Sequence, residues 1–143
     1  MNKVVLTDTG FWIGLIDPND QFHEASSVIE DLIEGDKILF PWPCLYETIS
    51  TRLIRKRAQL QYLEKAISKP DIVFFQDEEY REEALKHLFQ FYRNRGLTYS
   101  LADCVIREIL KDVNVKVNYL ITYNSKDFRD ICDQRKIDII DNQ

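Results

Sequence analysis

Short apolar runs alternate along this chain with longer stretches in which apolar residues recur every three or four positions, a pattern that predicts strands exchanging with helices. Val4, Val5 and Leu6 form the first run, a β-branched segment suited to a buried strand, and Asp8 falls where that strand should end. Phe11-Trp12-Ile13-Gly14-Leu15-Ile16 reads as a short buried helix, halted by the turn cluster Asp17-Pro18-Asn19-Asp20. Across residues 22–33 the positions Phe22, Ala25, Val28, Ile29, Leu32 and Ile33 keep helical spacing, and Gly35 supplies a stop.

Lys37-Ile38-Leu39-Phe40 predicts a second strand, after which Pro41-Trp42-Pro43 opens a helix. Within that helix Leu45, Ile49 and Leu53 make a stripe expected to face the core, with Glu47 at its margin. Arg52, Arg55, Lys56 and Arg57 gather at its far end, where cations suit the helix dipole. Leu60, Leu63, Ala66 and Ile67 continue the helical spacing, and Ile72-Val73-Phe74-Phe75 predicts a third strand. Asp77-Glu78-Glu79 heads a helix with Tyr80, Ala84, Leu88 and Phe91 on its apolar face, ending near Gly96. Ser100 caps a further helix, and Asp103 stands at its third position. Residues 119–122 and 136–140 predict two last strands, with Asn124 to Phe128 opening a helix between them. The expected architecture is α/β, a single domain over residues 1–143 whose central parallel sheet of four to five strands is flanked by helices on both faces.

Composition narrows the class. With 45% hydrophobic and 30% charged residues and four Gly and four Pro in 143, the chain suits a compact soluble protein. No apolar run approaches the roughly 18 residues of a membrane span, and a cytoplasmic location is expected. Cys44, Cys104 and Cys132 are far apart, so buried reduced thiols are expected rather than a zinc or redox pair. His23 and His87 sit in charged helical segments without an obvious partner, which argues against histidine-based catalysis. A net charge of −5 excludes nucleic-acid binding by bulk electrostatics but not a nuclease, because carboxylates gathered around a cation are themselves acidic.

Three acids fall at comparable places: Asp8 after the first strand, Glu47 in the helix after the second, and Asp103 at the head of the helix before the fourth. Each lies in an otherwise apolar context, where an isolated carboxylate is costly to desolvate. Asn124 and Asp127 add polar groups just past the fourth strand. Oxygen ligands without His or Cys favour Mg²⁺ or Mn²⁺, and such a cation activates water and stabilises charge on a phosphodiester. Simpler roles stand beside these: Asp8 as a helix N-cap, Asp103 as the acid of a capping box or the partner of Arg107, and the basic cluster as a solvated helix end.

The motifs hydrophobic-Asp8-Thr9-Gly10, Pro43-x-x-x-Glu47, Ser100-x-x-Asp103-Cys104 and Thr122-x-Asn124-x-x-Asp127-Phe128 together resemble a PIN-domain ribonuclease over nearly the whole chain. Many stand-alone members of that family are toxins of VapBC-type toxin–antitoxin pairs. The resemblance implies a metal-dependent endoribonuclease with catalytic acids Asp8, Glu47 and Asp103, which also bind Mg²⁺ or Mn²⁺ with Asn124 or Asp127 completing the ligand set. It further implies weaker substrate contacts from Thr9, Ser100, Arg52, Arg55 and Lys126, an antitoxin partner and a homodimer. Gly10 stands where Ser is more usual, and Asn124 replaces the usual fourth acid, which weakens any second metal. A catalytically weak PIN-fold module that holds RNA or a protein partner is the rival that this departure motivates. Asp-Thr-Gly also marks aspartic proteases, but those need a glycine-rich all-β fold, which four glycines do not support. No phosphate-cradling glycine motif is present.

Overall fold

The computed structural model describes residues 2–96 and 98–141, so the expected 1–143 domain reaches beyond them at 1, 97, 142 and 143. Five strands form one sheet: β1 (Val4–Thr7), β2 (Lys37–Pro41), β3 (Ile72–Phe75), β4 (Tyr119–Ile121) and β5 (Asp138–Ile140). Their order is β3-β2-β1-β4-β5, and every neighbouring pair is parallel. Each predicted strand is present, within two residues of its expected bounds.

Among the described residues the α-helices are α1 (Thr9–Ile16), α2 (His23–Leu32), α3 (Trp42–Thr48), α4 (Thr51–Ile54), α5 (Arg57–Ile67), α6 (Arg81–Arg95), α7 (Leu101–Lys111) and α8 (Arg129–Arg135). From β1 the chain steps outward to β2 and β3, then returns past β1 to β4 and β5. α1 packs against α2, α3 and α5, and α7 against α6 and α8; the right-handed crossover rule for parallel strands puts these two groups on opposite faces of the sheet. Val5, Leu6, Leu39, Phe40, Leu120 and Ile121 are buried between these layers. The reversal of direction happens at β1, and the crevice beyond its carboxyl end is where an open parallel sheet takes a ligand.

The expected long helix after β2 is broken. It stops at Thr48, and Ile49, at φ −90° and ψ 65°, ends it. Thr48 Oγ1 turns back to the Cys44 carbonyl at 2.7 Å, a bond that competes with helix continuation. Ile49 is therefore 36% exposed while Leu45 and Leu53 stay buried, so the predicted stripe loses its middle member. The basic cluster straddles the α4–α5 break instead of closing one helix: Arg52 lies in α4, Arg55 and Lys56 between the two helices, and Arg57 opens α5.

Gly96 is the left-handed cap of α6 at φ 63°. Gly14 is required by contact: a Cβ there would lie 2.5 Å from Ser26 Oγ, so α1 and α2 approach as closely as they do because position 14 has no side chain. Cys44, Cys104 and Cys132 are buried free thiols, and burial pushes each thiol pKa up. No helix among the described residues is long and apolar enough to cross a membrane.

Candidate active site

Asp8 leaves the end of β1 with its backbone N–H donating to the Ile121 carbonyl at 3.1 Å, which extends the β1–β4 ladder by one residue. That bond fixes the side chain over the carboxyl ends of both strands. Oδ1 accepts from the Thr9 N–H at 2.7 Å, making Asp8 the N-cap of α1, and Oδ2 accepts from Thr122 Oγ1 at 2.9 Å. The capping role and a position at the sheet's crevice therefore coexist. Cys44 Sγ lies 4.0 Å from Oδ1 and closes the buried side.

Glu47 comes from the last turn of α3, and its Oε1 accepts from Thr9 Oγ1 at 2.7 Å. Its side chain is exposed, which corrects the expectation of an apolar setting for all three acids. Asp103 forms the capping box of α7: Ser100 Oγ accepts from the Asp103 N–H at 3.0 Å, and Asp103 Oδ2 accepts from the Ser100 N–H at 3.3 Å. Asn124 is exposed ahead of a short 3-10 turn, Ser125–Asp127, whose first bond runs from the Asp127 N–H to the Asn124 carbonyl.

Burial, the Asp103 charge and the Glu47 charge push the Asp8 pKa up to about 6, against the Thr9 and Thr122 hydrogen bonds that pull it down. Burial also raises Asp103, with Asp127 and Glu47 adding repulsion. The four carboxylates thus feel one another, and among the described residues none of the four is ion-paired. Uncompensated acids of this kind suit a dication bound through oxygen. Oxygens remain for it: the cap uses one oxygen of Asp103 and Thr9 uses one of Glu47. No three of these residues bring carboxylate oxygens within 4.8 Å of one another, so the set is coupled by charge rather than closed.

Arg107 is the participant that sequence reasoning misassigned. It does not pair with Asp103; its guanidinium forks onto Asp130 at 2.8 and 2.9 Å, and Nη1 donates to the Asp127 carbonyl at 2.6 Å. The head lies 5.3 Å from the ring centres of both Phe91 and Tyr99. This buried cation fastens the 125–127 turn to α7 and so holds Asp127 near Asp103. No local spacing announces a partner 23 residues away, although a lone Arg on the apolar face of α7 is a signal that something must satisfy it. Thr122 stands in the motif after the fourth strand, but nothing in the sequence announces that it braces Asp8.

The other predicted contacts divide. Thr9 joins Glu47, and Ser100 is spent on the α7 cap. Arg52, Arg55 and Lys126 are exposed and none is ion-paired among the described residues. Both histidines prove to have partners: His23 Nδ1 lies 2.8 Å from the Gly14 carbonyl, and His87 Nδ1 lies 2.8 Å from Glu108 Oε2. Glu83, His87 and Glu108 do bring ligand atoms within 4.8 Å of one another, but Lys111 Nζ already lies 3.0 Å from Glu108, and the group belongs to the α6–α7 surface.

No protein-family model matches the sequence, and no curated protein matches it. Solved structures do match in shape. VapC20 of Mycobacterium tuberculosis, described as a sarcin–ricin loop cleaving toxin, has a TM-score of 0.68 at 16% identity, over 86% of this chain and 92% of its own. FitAcB of Neisseria gonorrhoeae gives 0.61 at 13% identity, over 96% and 97%. VapBC2 of Rickettsia felis, bound to a DNA fragment from their promoter, gives 0.58 at 15% identity, over 95% and 96%. At these identities the likeness is one of fold, and the fold is PIN-like.

Proposed function

We propose that this PIN-like chain is a Mg²⁺- or Mn²⁺-dependent endoribonuclease, the toxin of a toxin–antitoxin pair. The observation that carries the reading is the charge coupling of Asp8, Glu47, Asp103 and Asp127 beyond β1 and β4, none of them ion-paired among the described residues. Retaining such a cluster is costly without a cation to compensate it. The likeness in fold to VapC20, described as a sarcin–ricin loop cleaving toxin, supports the reading.

In this account Asp8, Glu47 and Asp103 hold the cation, with Asp127 or the amide oxygen of Asn124 completing the set. Once bound, the cation supplies charge neutralisation at the scissile phosphate and makes water acidic enough to act as nucleophile. Thr9 holds Glu47, and Thr122 with the Thr9 N–H keeps Asp8 oriented toward the crevice. The less constrained oxygen of Glu47 is placed to accept a proton from attacking water. Arg52, Arg55 and Lys126 draw in the RNA backbone that the acidic site itself repels. The antitoxin of this reading carries a basic arm that occupies the acidic crevice, and the toxin acts as a homodimer in the cytoplasm.

A Mn²⁺ titration separates this enzyme from a PIN-fold module that only binds. The enzyme takes up Mn²⁺ by calorimetry and loses the uptake in Asp8→Asn. A wild type that takes up none supports the module.

A further inference from the structure

A cleft of about 590 Å³ opens between the carboxyl half of α1, the turn that follows it and the α3–α4–α5 junction. Ile13 and Leu53 supply its apolar floor, while Asn19, Gln21 and Gln59 stand on its walls. Arg52 and Lys56 also line it, and among the described residues neither is ion-paired. Asp17 and Asp20 line it as well, each with one oxygen turned to its own backbone: Asp17 Oδ1 accepts from the Asn19 N–H at 3.0 Å, and Asp20 Oδ2 accepts from the Phe22 N–H at 2.9 Å. The cleft lies beside the elements that carry the acidic site: Thr48, which follows Glu47 in α3, lines it. Ile13 lies one turn of α1 beyond Thr9, about 6 Å along the helix axis.

We propose that this cleft binds one unpaired nucleotide of the RNA beside the scissile phosphate, and so sets which sequence is cut. The inference rests on the endoribonuclease reading above. Two unpaired cations at the rim suit a phosphate, which Arg holds as a fork and Lys as a point charge. Three carboxamides, each both donor and acceptor, suit the hydrogen-bonding edge of a base. Ile13 and Leu53 give the face of that base an apolar surface, and the volume lies within the ordinary range of small-ligand sites. Single-stranded RNA is read in this way, by splayed bases whose edges are hydrogen-bonded.

The test uses the full-length Asp8→Asn protein, so that RNA is bound but not cut, and short labelled single-stranded RNAs of one base or mixed sequence. Anisotropy at several salt concentrations gives Kd and its salt slope. Arg52→Ala/Lys56→Ala is expected to weaken binding at least tenfold and to reduce the log–log salt slope by roughly 0.7, the value for one phosphate on a single strand. Lys86→Ala/Arg93→Ala, which removes the same charge from α6, should leave both values unchanged. Asn19→Ala/Gln59→Ala is expected to flatten the preference among single-base RNAs and, with Asp8 intact, to relax the cleavage sequence. Equal losses in the cleft and α6 pairs, or an unaltered base preference in the amide pair, would overturn the subsite and leave the nuclease standing. A wild type that neither binds nor cuts RNA removes both.

Discussion

Thr122 Oγ1 donates a 2.9 Å hydrogen bond to Asp8 Oδ2 across 114 residues of sequence, joining the ends of β1 and β4 at the bottom of the acidic crevice. The bond stabilises the ionised carboxylate and pulls its pKa down against burial and the Asp103 charge, which together still leave it at about 6. Thr122→Val removes the donor at nearly constant volume. The Asp8 pKa should rise further, and the acid limb of the cleavage pH profile should move to higher pH. An unmoved limb would mean that Asp8 does not titrate in the catalytic cycle.

The raised Asp8 pKa also has a sign in stability. The folded state holds this proton more tightly than the unfolded chain, so the contribution is full below pH ~4 and is lost as pH rises through about 6. A shift of about two units corresponds to roughly 3 kcal/mol in the metal-free protein. Asp8→Asn should therefore melt higher than metal-free wild type near neutral pH, and equally near pH ~4. Mn²⁺ should raise the wild-type Tm more above pH ~6 than below it, because the proton and the cation compete for one carboxylate. Melting curves with and without Mn²⁺ across this range check both statements.

Arg107 carries a different kind of load. Its fork to Asp130 holds that carboxyl below the usual range, and its bond to the Asp127 carbonyl anchors the turn that carries a proposed ligand. Arg107→Ala empties the space beside the paired Phe91 and Tyr99 rings and should cost about 3 kcal/mol in urea unfolding. Asp130 is largely exposed, so Asp130→Asn should cost about 1 kcal/mol or less. Arg107→Lys should recover little, since an ammonium cannot reproduce the fork.

Gly14→Ala tests the approach of α1 to α2. The new methyl would meet Ser26 Oγ at 2.5 Å and the Phe22 carbonyl oxygen at 3.1 Å, while Ser26 Oγ is committed to the Phe11 carbonyl at 2.9 Å. A loss of about 1–3 kcal/mol is expected from overpacking, with Mn²⁺ affinity unchanged because the Asp8 end of α1 does not move.

What was legible in the sequence follows from the range of the forces involved. Strands such as residues 72–75 and the cap at Gly96 are written in contiguous residues, and they stand where the pattern put them. Asp8 and Asp103 were legible as acids at element ends, and the capping box of α7 was legible with them. The break at Ile49 was not, because it turns on Thr48 choosing the Cys44 carbonyl over solvent. The exposure of Glu47 and the pairing of Arg107 with Asp130 depend on how α3, α7 and α8 pack, which no local spacing records.

Cleavage of a structured RNA mixture by wild type and by Asp8→Asn, each with Mg²⁺, with Mn²⁺ and with EDTA, tests the central claim most directly. The account predicts discrete internal cuts by wild type with either cation, none with EDTA, and none by Asp8→Asn under any condition. Equal cutting by the two proteins, cutting that persists in EDTA, or an inert wild type would contradict it.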